Sequence, residues 1–212
     1  MNKNILSLFF VAGLLLTACT SNTQPEEVSE KVTDEISETE NVDIELENLA
    51  EDYLQEELGA IIENDEGVRT VVKALYDLDD TQQSGPFRIK IRNVRLSQFK
   101  PRNDKIVMYG GYDLGLVSIH LLVENISNDQ AMIFPMQGVI ETDTGKKVDA
   151  HFSLSDQIGG EFSARSAKEG VVYCFFDGDA ADVSQVTYRI EAPHDDEVQP
   201  LGDDFEFSFS FD

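Results

Sequence analysis

The chain has 212 residues, no tryptophan, two cysteines and a formal charge of −25, from 41 acidic and 16 basic residues. That charge excludes nucleic acid and anionic lipid headgroups as partners bound through overall electrostatics. The length suffices for one sizeable hydrophobic core plus an appendage.

Met1 and Lys3 supply a positive start, and Ile5 to Leu16 form an apolar run that closes on the small residues before Cys19. This is the layout of a secretory signal covering residues 1–18. The run is too short to span a bilayer, which takes about 20 apolar residues. The ending Leu16-Thr17-Ala18-Cys19 resembles the lipobox of bacterial lipoproteins. The resemblance implies cleavage before Cys19 and a diacylglyceryl cysteine with palmitate-like chains, which would hold the protein to the extracytoplasmic face of the cell membrane. With Cys19 lipidated, Cys174 is the remaining thiol and no intramolecular disulfide can form. The domain is then expected to rest on its hydrophobic core alone. Cys174 sits in the apolar run Val171 to Phe176 and reads as a small core residue.

Acidity is concentrated early: residues 26–66 hold seventeen Asp or Glu and one basic residue, Lys31. Residues 19–43 are too polar to bury a core and read as a flexible tether. A stretch of about 20 such residues has an r.m.s. span of roughly 25 Å, which like charges would extend. Residues 44–84 then show helical spacing. Leu46, Leu49, Ala50, Tyr53, Leu54, Leu58, Ile61 and Ile62 make one stripe, and Val68, Val71, Val72 and Leu75 another. Asn64-Asp65-Glu66-Gly67 divides them, and Gly85-Pro86 ends the segment. The stripes need a cover, either the domain itself or a partner.

From residue 86 to 212 the apolar period becomes two. Phe87, Ile89 and Ile91 alternate with Arg88, Lys90 and Arg92. Val117 to Val123 and Phe205 to Phe211 alternate in the same way. Further strands are expected near 131–135, 138–142, 147–154, 170–176 and 185–191. Seven or eight short strands with turn residues between them predict a mainly β chain. The expected architecture is an antiparallel immunoglobulin-like β-sandwich preceded by a short amphipathic helical segment. The Cys–Trp–Cys core of antibody domains is absent.

Val123-Glu124-Asn125-Ile126-Ser127 is similar to the "V-x-N-x-S" strand and turn of the DUF4352 (telokin-like) domains of Firmicute lipoproteins. Asp143-Thr144-Gly145, one residue shorter, is similar to their "D-x-x-G", and Gly170 to Phe175 is similar to their glycine-led "V-x-F" strand, with Tyr173-Cys174 as a departure. The resemblance implies a fold and an envelope location; it brings no activity.

No G-x-S-x-G or H-E-x-x-H occurs, so no catalytic residues are assigned. His120 and His151 read as strand residues. Ile158-Gly159-Gly160-Glu161-Phe162 reads as a glycine turn feeding a short strand. Asp177, Asp179 and Asp182 are a candidate Ca²⁺ site, as is His194-Asp195-Asp196-Glu197, because hard cations want clustered oxygens. Arg88, Lys90, Arg92 and Arg95, with Lys100, Arg102 and Lys105, form a basic cluster. It would serve either an anionic ligand such as a wall polymer, or internal pairing with the chain's own acidic helices and protection of an edge strand. The function these features favour is a non-enzymatic, lipid-anchored binding or structural module whose partners are an envelope protein or a cell-wall polymer. The alternative is a calcium- or metal-responsive envelope sensor using the acidic loops.

Overall fold

The structure is a computed structural model that describes residues 57–102 and 111–211. Cys19, Lys105, the signal, the tether and residues 44–56 of the expected helical segment lie outside them. Two long strands, β4 (Phe87–Pro101) and β5 (Leu114–Asn125), pair antiparallel along nearly their whole length. On the far edge of β5 lies β10 (Ala167–Asp177), in register from Glu124 to Leu114. The other edge of β4 is shared: β2 (Gly67–Leu75) takes its second half and β3 (Asp80–Ser84) its first, with β1 (Ile61–Glu63) outside β2.

A second sheet has the order β12 (Phe205–Ser210), β11 (Gln185–Ile190), β7 (Val139–Thr142), β8 (Lys147–Asp149). A small pair, β6 (Ala131–Ile133) with β9 (Gly160–Phe162), closes one side. The two larger sheets form an antiparallel sandwich. Between them Phe205, Phe207, Phe209 and Tyr188 meet Phe87, Ile89, Ile91, Val94, Leu96 and the inward side chains of β5. Period-two alternation drives this packing, since each strand turns every second side chain into a common apolar layer. Cys174 is fully buried in that layer, where burial, followed by the nearby Asp149, pushes its thiol far above the ordinary range.

The helical expectation for residues 68–75 is corrected: Val68, Val71, Val72 and Leu75 lie on strand β2. The cause is a bulge. The register against β4 skips at Val72, between Val71 and Lys73. The extra residue converts a period of two into spacings of three and four, which mimic a helix. Runs of β-branched valine and threonine favour the strand. Ile61 and Ile62 likewise lie on β1. Residues 61–84 therefore supply three strands of the large sheet, β1, β2 and β3, and Gly85, at φ +52°, turns β3 into β4. The Ile158–Phe162 stretch is a glycine turn leading into β9, with Gly160 at φ +89°.

Asn125 ties the end of β5 to its surroundings. Its amide nitrogen faces the carbonyls of Asp129 (2.8 Å), Ser163 (3.0 Å) and Phe162 (3.3 Å), while its oxygen accepts from the Ser127 N–H and hydroxyl. The side chain is almost fully buried. Substitution Asn125→Asp replaces the donor with a charge facing three carbonyls. Denaturant melts should show a loss of about 3 kcal/mol or more, against about 2 kcal/mol for Asn125→Ala.

Candidate functional site

The large sheet has a second face, turned away from the four-stranded sheet, and over the second half of β4 it too is buried. Register fixes its rows. Val71, Ser97, Leu116 and Phe175 lie abreast, then Ala74, Arg95, Ser118 and Tyr173, then Asn93, His120 and Val171. Arg95 and Ser118 are 2% exposed and His120 1%. The alternating residues of β5 that read as a wet face in the sequence are thus covered. A second bulge, at Arg92 between Ile91 and Asn93, lets β4 keep Val94 and Leu96 in the core while Arg95 and Ser97 take the outer face.

At one end of this face Phe99, Leu114, Leu116 and Phe175 form a small apolar cluster, with Leu154 and Tyr173 against it. The rings of Phe99 and Phe175 lie 5.2 Å apart, and His151 meets Phe175 edge-on at 5.6 Å. Above these residues is a recess of about 170 Å³ whose rim carries Arg69, Glu66 and Asp156. Residues 151–156 close the free edge of β10: Asp156 accepts from the Val171 N–H (2.7 Å) and Ser155 from the Tyr173 N–H (3.0 Å).

Further along the same face a polar cluster is sunk into the sheet. One carboxylate oxygen of Glu169 lies 2.6 Å from Arg92 Nε and 3.0 Å from His120 Nε2. His120 Nδ1 faces the Asn93 amide nitrogen at 3.4 Å, and Asn93 accepts from the Asp77 N–H. Burial by itself would raise the Glu169 pKa, but His120 and Arg92 together outweigh it and hold the carboxyl below its ordinary value.

The basic cluster is engaged within the domain. Arg88 pairs with Glu124 (3.3 Å), Lys90 with Asp79 (2.6 Å), Arg92 with Glu169, and Arg102 with Glu63. Arg95 lies 5.6 Å from the centre of the Tyr76 ring. These carboxylates belong to strands and strand links, and β4 is an interior strand rather than an edge to be guarded. Pairs as exposed as Arg88–Glu124 are worth little individually.

Asp179 caps the 3-10 turn Ala180–Asp182 by accepting from the Ala181 N–H, and Asp177 ends β10. In the His194–Glu197 loop, Asp195 accepts from the Glu197 and Gln199 N–H groups, and His194 stacks on Phe134 at 5.7 Å. Among the described residues no three His, Cys, Asp or Glu side chains gather where they could hold a metal ion.

The fold is shared. A functionally unknown protein from Listeria monocytogenes superposes with a TM-score of 0.55 at 11% identity, over 68% of this chain and 88% of that one. A candidate lipoprotein of Bacillus subtilis, ycdA, gives 0.47 at 16% identity, over 62% of this chain and 38% of its own length. The Bacillus subtilis yjhA protein gives 0.42 at 14% identity, over 65% of this chain and all of that one. No family model and no curated protein matches the chain.

The His120–Glu169–Arg92 cluster makes a pH-dependent contribution. Because the folded pKa of Glu169 lies below its ordinary value of 4.5, that contribution is complete above pH 4.5 and is lost as pH falls through the folded pKa. Glu169→Gln should lower stability at pH 7 by about 2 kcal/mol. The gap from wild type should close towards pH 3, where the protonated acid resembles the amide; denaturant melts at both pH values check it.

Proposed function

We propose that the protein is a lipid-anchored, extracytoplasmic module of the bacterial cell envelope that works by contact and not by catalysis. The outer face of the large sheet carries this reading. It sinks Arg95, Ser118 and His120 beside Phe99, Leu116 and Phe175 on the side opposite the core, so the charged and titratable side chains of this face are enclosed within the chain and not presented to a substrate. Burying a cation there is tolerable only with a complementary neighbour.

The lipobox-like ending at Cys19 supports the location, with acyl chains worth about 0.8 kcal/mol per buried methylene. Kinship with the DUF4352 domains belongs to the same reading. The "V-x-N-x-S" asparagine is Asn125, and its hydrogen bonds account for why that residue type suits that turn. The non-catalytic reading is supported by what occupies the reactive side chains. The Cys174 thiol is buried among apolar residues, and His120 is held between Glu169 and Asn93. The partner is an envelope protein or a cell-wall polymer.

The anchor is tested by metabolic labelling and fractionation. Labelled palmitate should enter the wild-type protein and not Cys19→Ala, and the variant should leave the membrane fraction. Membrane retention of unlabelled Cys19→Ala would refute the lipid anchor. In the same cells an alkylating reagent should leave Cys174 unmodified until the protein is denatured.

A further inference from the structure

We propose that the groove at one pole of the sandwich, edged by Asp129, Asp195 and Asp196, holds an extended basic segment of a partner protein. This rests on the reading of the chain as a contact module, and it names the surface and the chemistry of the partner.

Three connections meet at that pole: the β3–β4 turn at Gly85-Pro86, residues 126–130 after β5, and residues 191–204 between β11 and β12. Backbone hydrogen bonds pin them together. The Ile126 N–H donates to the Pro86 carbonyl (2.8 Å), Met132 and His194 exchange two bonds (2.9 and 3.0 Å), and the Leu201 N–H meets the Pro193 carbonyl (2.7 Å). Gly85 allows the closest approach, because a Cβ there would collide with the Leu201 carbonyl. Between these segments lie two adjoining hollows of about 440 and 270 Å³, which share Gln130 and Ala131. The larger falls within the range of ligand pockets, about 300–1,000 Å³. Loops fixed at one end of a sandwich are a common recognition surface, and fixed walls spare a ligand the cost of ordering them.

The lining sets what the groove can take. Pro86, Ala131, Met132 and Leu201 make part of it apolar, and its charged residues are the three aspartates, with no lysine or arginine among them. Asp195 is partly used within its own loop, where it accepts from the Glu197 and Gln199 N–H groups. The Asp129 and Asp196 carboxylates are exposed, and neither takes an ion pair or a hydrogen bond from the described residues. Glu63, Asp79, Glu124 and Glu169 differ, since each meets an arginine or lysine of the domain. On the 191–204 loop Val198 and Leu201 are also exposed, Val198 at φ +61°, which is strained for a β-branched residue. Apolar contact is thus offered beside uncompensated negative charge. A segment that alternates lysine or arginine with aliphatic residues complements both, whereas an anionic wall polymer would meet like charge.

Fluorescence anisotropy tests this with the full-length chain in non-ionic detergent and a labelled peptide of about nine residues, alternating lysine and leucine, as the probe. Asp129→Asn combined with Asp196→Asn should weaken binding about tenfold, and Gln130→Trp, which narrows both hollows, by at least as much. Asp65→Asn combined with Asp182→Asn removes the same charge near the other end of β4 and should change binding less than about twofold. All five side chains are exposed, and an unreactive Cys174 reports that each variant is folded. No binding at about 1 mM peptide would overturn the proposal. So would an equal loss in the Asp65 and Asp182 variant, unchanged binding in Gln130→Trp, or equal binding of a glutamate–leucine peptide. Purified wall polymer bound through the same aspartates, with the peptide ignored, would make the polymer the partner and overturn it too. Should the peptide be ignored while an envelope protein is retained equally by wild type and the Asp129 and Asp196 variant, this proposal fails and the contact reading stands. If nothing from the envelope is retained, both fail.

Discussion

The antiparallel pairing of β4 with β5 is the constraint on which the rest of the structure depends. Their register runs from Phe87 opposite Asn125 to Phe99 opposite Leu114. Every other strand of the large sheet is fixed by reference to it, β2 and β3 on one side and β10 on the other. A pair buried on one face alone could slip by two residues and keep its alternation. Over its second half this pair is buried on both faces, and the bulge at Arg92 fixes where β4 changes phase, so that Leu96 lies in the core and Arg95 on the opposite side.

The bulges also divide the sheet chemically. Before Arg92 the outward side chains of β4 are Arg88 and Lys90, half-wet and paired with Glu124 and Asp79. After it they are Arg95, Ser97 and Phe99, all buried. One strand thus passes from an ordinary solvated face to a covered one within a few residues. The change falls beside the Glu169 cluster, where the sheet first has to accommodate charge with little water. Here a carboxylate is held by two cationic or donor groups, which outweigh its desolvation. The arrangement fixes the relative position of β4, β5 and β10 more sharply than apolar packing would, because each partner left alone would be a buried polar group.

The sandwich was legible wherever alternation was uninterrupted. Phe205 to Phe209, Val117 to Val123 and Phe87 to Ile91 all lie on strands with the expected side inward. The failure over 61–84 has one physical source, since a bulged strand such as β2 shifts phase at Val72 and reads as helical. The outer face was harder to see. Ser118 and His120 look like solvent positions when β5 is read by itself, and only the company of Leu114, Leu116 and Leu122 on the same side hinted otherwise. Glu169 carried no signal at all, because its meaning lies in a register that brings it level with Leu122 and within reach of Arg92 and His120. Asn125 stood out as a motif residue, but its part in holding β9 could not be read from spacing.

The distribution of charge limits what the exterior can recognise. Seven of the sixteen basic residues fall between positions 88 and 105. Of these, Arg88, Lys90, Arg92 and Arg102 meet carboxylates of the same domain, and Arg95 is buried beside Tyr76. Four of these seven cations are thus paired with carboxylates of the same domain. What remains outside is a strongly negative surface, whose field disfavours anionic polymers and favours cationic or neutral counter-surfaces.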